Sequence, residues 1–432
     1  MSGVAIGSLS LLAITVLIAF RVHIGLALGG VAILGLFAQI GPTATMAIIK
    51  STPFEFAANW ELSAIPMFVF MGNIAFNTGM TESLFKAARL WLGRLPGGLA
   101  VATNFACAGF AAASGSSLAT AIAMGRIAIP EMRRYKYDPG LATSVVAAAG
   151  TLGSMIPPSI LLVLYGIFAE QSISKLFIAA ILPGILTAVI YAIMIVVRCS
   201  MNPSLAPIPD ERPSWRERFQ VLIEVWPLPL LAAGVIGSIY GGYATATEAA
   251  ALGSVIAMLI AIAQRRLTFD NLRRSLFESV VASAALFFIA MGAIMMTRLM
   301  GFTALPVYLS TVMEAYAVSP LMLLVMTAIL YLILGCFIDA LGMVLLTLPI
   351  LLPLFKAQGI DLIWFGIFVV KFTEIGMITP PLGLNIFAAK SLAPDVPLSK
   401  IFKGATWFLG CEFVVVVLLI AFPEITSVLI PK

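Results

Sequence analysis

Two stretches of this chain place consecutive prolines inside apolar segments. They are Gly153-Ser154-Met155-Ile156-Pro157-Pro158-Ser159 and Gly376-Met377-Ile378-Thr379-Pro380-Pro381-Leu382-Gly383. Paired prolines remove two N–H donors and clash with preceding carbonyls, so a helix must break there. The carbonyls freed upstream, with the negative end of the first half-helix, can coordinate Na⁺, a hard cation that favours oxygen ligands. The half-helix that follows presents a positive N-terminal end, which suits an anionic substrate. A lone proline in a span is ordinarily a packing kink. A Pro-Pro break that occurs twice reads as a binding site.

Two further apolar stretches, 98–129 and 320–355, are interrupted near their centres by Ser114-Gly115-Ser116-Ser117 and by Cys336-Phe337-Ile338-Asp339. Both read as re-entrant helical hairpins, since non-helical backbone at membrane depth is tolerated only inside protein or beside water. The first tip offers hydroxyls and a glycine turn, although runs of small residues also serve as packing seams. Asp339 says more, because an ionisable group at an apolar tip is costly and usually partnered. It can ligate a cation, orient a carbonyl or pair with a base. It can equally cap the second arm, and the two roles are compatible. The other charges at membrane depth are Arg126, Glu248, Arg298, Lys371 and Glu374. Arg298 reads as a snorkelling scaffold residue, Lys371 and Glu374 as an i, i+3 pair, and Glu248 as a helix cap or interface anchor. Gly25 and Gly29 permit close helix packing without identifying a ligand.

The elements that hold these residues follow from composition. The 432 residues are 61% hydrophobic and 10% charged, against roughly 45–50% apolar and about 25% charged for soluble domains. Such a chain cannot cover its surface in water, so the soluble-enzyme and disordered classes fail together. The single histidine, His23, argues against a His-based metal site or triad. Cys107, Cys199, Cys336 and Cys411 lack metal or redox spacing and read as small buried hydrophobes. Spans are expected near 3–20, 24–40, 62–78, 140–168, 176–198, 226–243, 246–263, 280–298, 363–389 and 404–423. With the N-terminus outside, the loops 21–23, 79–97, 131–139, 198–225, 264–279 and 390–403 fall in the cytoplasm and hold 18 of the 25 Lys and Arg. That bias obeys the positive-inside rule and explains the net charge of +5 better than nucleic-acid binding does. Both termini are then periplasmic. The first apolar segment lacks a basic leader and reads as a retained span. Residues 201–225 form a polar cytoplasmic linker whose part 215–226 is either an amphipathic surface helix or a solvated loop.

Sliding the chain by 223 residues aligns Pro130 with Pro353, Asp138 with Asp361, Gly153 with Gly376, and both Pro-Pro pairs without a gap. Ser116 then falls on Asp339. Residues 1–200 and 226–432 are therefore read as two repeats, each with five spans, one broken at Pro-Pro, and one hairpin. Five is odd, so the second copy enters the membrane inverted, an arrangement found in secondary transporters whose sites lie at the repeat interface. The fold class is an all-α polytopic membrane protein.

With 113–117, 153–159, 335–339 and 376–383 taken together, the chain resembles the large membrane (M) subunit of tripartite ATP-independent periplasmic (TRAP) transporters over essentially its whole length. The resemblance implies a sodium-coupled, elevator-type importer of organic anions in a bacterial inner membrane. It implies a small membrane (Q) subunit and a periplasmic substrate-binding (P) protein as partners, with Na⁺ as coupling ion. Carried over by matching motif, one Na⁺ site would use Ser114, Ser117, Gly153, Ile156 and Pro157, largely through backbone oxygens. Its counterpart would use Gly335, Gly376 and Thr379. Substrate would lie between the tips, near Ser116, Asp339, Pro158, Ser159, Pro381 and Asn385. Thr379 stands where the first repeat has Ile156, so the two ion sites are not copies. The hairpins and broken helices would form the mobile domain, and spans including 3–40 and 226–263 the scaffold. An intramembrane enzyme would need a nucleophile–base pair or metal ligands that this sequence lacks, and mismatched tips do not suggest a channel filter.

Overall fold

A computed structural model describes residues 2–208 and 214–430. Positions 209–213 of the expected linker, and both chain ends, lie outside the described residues. Every regular element among the described residues is a helix. Among the described residues, six helices are long and apolar enough to cross a membrane, or nine when each of three bent pairs is counted as one span. Gly3–Ala19 adds a shorter apolar helix.

Both interrupted stretches are helical pairs with a turn between them. The first runs Gly98–Ser114 and Ser117–Arg134, the second Pro320–Gly335 and Ala340–Ala357. Both Pro-Pro segments break a helix, giving Pro139–Met155 with Ile160–Ala169 and Leu362–Ile378 with Leu384–Leu392. The Pro157–Pro158 and Pro380–Pro381 bonds are both cis. In each half the hairpin precedes the broken helix, and a single long helix follows, Ile173–Met201 or Leu398–Ala421.

Helices also occupy segments expected to be loops. Ile24–Ala57 continues past a kink at Gly41, whose φ of +78° only glycine adopts freely. Pro42 then sits in the first turn of the resumed helix, where its missing N–H is no loss. Met80–Leu92 lies at 65° to the helix before it, and Leu305–Ala315 precedes the second hairpin. Of the two readings for 215–226, the helix holds: Trp215–Val225 starts at a capping box in which Ser214 and Glu217 satisfy each other's backbone N–H groups. The Ser214 donors hold the Glu217 carboxyl below its ordinary pKa. This helix lies against Met80–Leu92, with Lys86 2.8 Å from Glu224 and Trp91 packed edge-on to Trp215 and Phe219.

The charged loops gather at one end of the molecule. Arg89 pairs with Glu131 at 2.7 Å, and Arg133 meets Asp395 through two bonds of 2.9 and 2.6 Å. Arg266 donates to the Gly79 carbonyl at 3.2 Å. Together with the Lys86–Glu224 pair, these contacts tie 79–97, 131–139, 198–225, 264–279 and 390–403 to one another. The base of the first hairpin is at this end. The base of the second is not: Pro320 and Leu324 share a groove with Asp361, Trp364, Ile420 and Pro423, at the far end of Leu398–Ala421. The start of that same helix touches the charged end, where Lys400 abuts Gly140. The two hairpins therefore enter from opposite ends.

Away from the hairpins, Phe269–Thr303 lies along Ile24–Ala57. A Cβ on Gly292 would come within 2.7 Å of the Gly25 carbonyl oxygen and 3.1 Å of the Gly29 nitrogen, so the Gly25/Gly29 seam packs as its spacing suggested. Ala246–Ala263 packs on Ala64–Asn77 through Gly253, which faces Met71, and through Ser254, which donates to the Met67 carbonyl at 2.8 Å.

Candidate functional site

The first hairpin turns at Gly115, whose φ is +62°. A side chain there would strike the Pro158 carbonyl at 2.7 Å, and the Gly115 carbonyl accepts from Ile160 N–H at 3.2 Å. Ser116 caps the second arm through Ala119 N–H at 3.4 Å. Gly153 allows the broken helix to reach this turn, since a Cβ on it would lie 2.5 Å from the Ser116 carbonyl oxygen and 2.7 Å from Thr120 Oγ1. Ser114 shares a 2.6 Å hydrogen bond with Thr120. Thr120 is fully buried and was not singled out by sequence, because nothing in its local pattern distinguishes it from any other helical threonine.

The second tip repeats the arrangement with different side chains. Gly335 and Gly376 meet backbone to backbone, and Cys336 Sγ donates to the Pro380 carbonyl at 3.1 Å. Asp339 caps Ala340–Ala357, accepting from Leu341 and Gly342 N–H at 3.2 and 3.3 Å. Its capping role is thus real, while its half-buried carboxylate also lines a cavity.

At the breaks, Ser159 Oγ donates to the Ser154 carbonyl at 2.5 Å and accepts from Leu162 N–H at 3.3 Å, bridging the two half-helices. Thr379 Oγ1 donates to the Ile375 carbonyl at 2.6 Å. Gly383, at φ +58°, starts the next half-helix. Ser117 Oγ lies 3.3 Å from Met377 Sδ, so the first tip touches the second broken helix. Asn385, completely buried, donates to the Ala147 carbonyl of the first broken helix at 3.2 Å.

These elements surround a cavity of about 600 Å³. One wall carries residues 114–119 of the first tip, Ser154, Ile160 and Leu161 of the first break, Asp339 of the second tip, and Met377 and Leu384 of the second break. The other wall includes Asn73, Phe76, Ala282, Ala285, Leu286 and Ile289, and Arg126, Arg274 and Glu278 also line the cavity. Of the expected site residues, Ser114, Ser116, Ser117 and Asp339 line this cavity. Gly153, Gly335 and Gly376 stand just behind it as close-approach positions. Ile156, Pro157, Pro158, Ser159, Pro381, Thr379 and Asn385 belong to the breaks and do not form its wall. Pro381 is exposed. Besides its charged groups, the cavity is lined by the hydroxyls of Ser114, Ser116, Ser117 and Ser154 and the amide of Asn73, and such oxygens suit a hard cation. No cluster of three His, Cys, Asp or Glu occurs among the described residues.

Sequence spacing also anticipated the Lys371–Glu374 pair, found at 3.0 Å, but not the rest of its network. Lys371 reaches Glu412 at 2.7 Å and Thr187 at 2.9 Å, and Tyr191 donates to Glu412. All of these side chains are buried, and together they join Leu362–Ile378 to both long helices that follow the broken ones. Glu248 forms a capping box with Thr245, and Arg298 pairs with Glu55.

Comparison with known proteins agrees with this architecture. The profile of the tripartite ATP-independent periplasmic transporter, DctM component, matches residues 11–425. The sialic acid TRAP transporter large permease protein SiaM of Vibrio cholerae is 32% identical over 89% of this chain and 92% of its own length. The C4-dicarboxylate TRAP transporter large permease protein DctM of Pseudomonas aeruginosa is 34% identical over 87% of each. In fold, the chain resembles the crystal structure of the Alcanivorax borkumensis YdaH transporter, with a TM-score of 0.60 and 14% identity, covering 88% of this chain and 90% of the other. The chain therefore belongs to the DctM component family of the tripartite ATP-independent periplasmic transporters.

Proposed function

We propose that this chain is the membrane carrier of a sodium-coupled importer for a small organic anion. It works with a small membrane subunit and with a periplasmic binding protein that delivers the substrate. The observation that carries the reading is the convergence of two hairpin tips, entering from opposite ends, and two broken helices around one cavity. Inverted repeats with discontinuous helices place ion and substrate sites at such a meeting point in secondary transporters. The names of the related permeases, for sialic acid and for C4-dicarboxylates, support a carboxylate as cargo and a transport role over an enzymatic one.

In this reading Na⁺ binds at each tip. One ion is held among Ser114, Ser117, Gly153, Ile156 and Pro157, the other among Gly335, Gly376 and Thr379. Each ion orders broken backbone and adds positive charge beside the acid group of the substrate. Substrate lies between the tips near Ser116 and Asp339, with 158–159, Pro381 and Asn385 shaping the breaks behind it. Ions and substrate favour the same closed state, and that shared preference is the coupling. The hairpins and broken helices then move as one body against a scaffold that includes 3–40 and 226–263, in an elevator motion. The joined charged loops face the cytoplasm of a bacterial inner-membrane protein, and both termini face the periplasm.

The test is uptake into proteoliposomes that contain this chain and its small subunit, with the binding protein supplied outside. Uptake should require an inward sodium gradient and the binding protein. Uptake at the same rate with choline replacing sodium would defeat the coupling. Rapid entry of free substrate without the binding protein would defeat the tripartite arrangement.

A further inference from the structure

Four charged side chains line the cavity: Arg126, Arg274, Glu278 and Asp339. Three are engaged. Arg274 lies 3.1 Å from Glu278, which also accepts from Asn77 at 3.0 Å. Asp339 caps its helix. Among the described residues, no hydrogen bond, ion pair or ring contact engages the Arg126 guanidinium.

Arg126 sits on the second arm of the first hairpin, nine residues beyond Ser117. That places its Cα about 13 Å from the tip along the helix axis. Arg126 is exposed where it lines the cavity, and because helical side chains lean toward the N-terminus, which here is the tip itself, an arginine at this position can extend toward the serines. A guanidinium stays charged at any working pH and presents a planar fork that matches a carboxylate. The wall opposite offers Ala282, Ala285, Leu286 and Ile289, an apolar surface for an uncharged molecular body.

We propose that Arg126 holds the acid group, carboxylate or sulfonate, of the transported anion inside this cavity. The proposal rests on the reading of the cavity as the substrate site. Because Arg126 is the one unengaged cation lining the cavity among the described residues, this chain supplies a direct counter-ion for a single acid group. A second acid group, where the cargo has one, must be neutralised by bound Na⁺.

The test measures thermal unfolding of the purified membrane complex in sodium buffer. Succinate, N-acetylneuraminate, lactate, gluconate and isethionate are titrated one at a time. At least one should raise the unfolding temperature of the wild type. Arg126→Met should need about tenfold more of that acid, or greater, for the same rise. Arg126→Lys should fall between, because it keeps the charge and loses the fork. Sodium alone should still stabilise both variants, which shows that they are folded with their ion sites intact. A wild-type dose curve for Arg126→Met overturns the assignment while leaving the cavity's role standing. No response of the wild type to any of the five acids overturns the substrate-cavity reading and, with it, this one.

Discussion

A Cβ added to Gly335 would lie 2.5 Å from the Cα of Gly376, and one added to Gly376 would lie 2.8 Å from the Cα of Gly335. The second hairpin and the second broken helix therefore meet through main chain alone. Neither contact can relax by turning a side chain. Gly335→Ala and Gly376→Ala should each lower the thermal stability of the purified complex, by about 1–3 kcal/mol of overpacking, and abolish sodium-dependent stabilisation. Gly410→Ala is the control, since its Cβ would meet nothing within 4 Å. It should leave both properties intact. Equal behaviour of the three variants would remove the close-approach argument.

Asp339 separates two roles that the structure superimposes. Its carboxylate caps the second arm, and asparagine caps almost as well, whereas alanine costs about 1 kcal/mol. Asp339→Asn should therefore unfold at nearly the wild-type temperature, yet lose most of its sodium-driven uptake because the cavity loses the one carboxylate at the hairpin tips. Asp339→Ala should lose both. Full uptake by Asp339→Asn would reduce Asp339 to a cap.

How much of this site could be read beforehand depends on the range of the interaction. The breaks at Pro157–Pro158 and Pro380–Pro381, and the tips at 114–117 and 336–339, are local interruptions of apolar runs, and a linear pattern records such interruptions directly. The opposite entry of the two hairpins followed from counting spans. Networks between distant elements leave no such trace. Lys371 and Glu374 stand one turn apart and were legible as a pair, but Glu412, Thr187 and Tyr191 come from other helices. Arg126 was visible only as a charge at membrane depth, and its lack of a partner is a property of the packed structure. Met80–Leu92 and Trp215–Val225 were harder still. The first read as loop and the second stood open between a surface helix and a loop, because each is held by the other.

The Lys371 network carries a stability prediction. One ammonium lies between two buried carboxylates, 3.0 Å from Glu374 and 2.7 Å from Glu412. Lys371→Met leaves two like charges facing each other without a counter-ion, and breaking a buried pair in this way costs about 3–5 kcal/mol. Glu374→Gln keeps the Lys371–Glu412 pair and the hydrogen bonds around it, so its cost should be much smaller. Thermal unfolding of the purified complex distinguishes them. Similar stability for the two variants would show that the lysine does not balance both carboxylates.

Thr379 is the position where the second break departs from the first, with a hydroxyl in place of the Ile156 side chain. Its Oγ1 lies 2.6 Å from the Ile375 carbonyl, inside the turn that the Pro-Pro break leaves open. If that hydroxyl is a sodium ligand, its removal acts on the ion and not on the fold. Thr379→Ala should raise the sodium concentration needed for half-maximal uptake, by about tenfold for one lost charge-assisted contact, while thermal stability without sodium changes little. Thr379→Ser retains the oxygen and should recover most of the sodium response. Thr379→Val matches the threonine in shape and should behave like the alanine. The ordering follows the oxygen and not the volume, so a sodium dependence in Thr379→Ala indistinguishable from wild type would move the second ion away from this break.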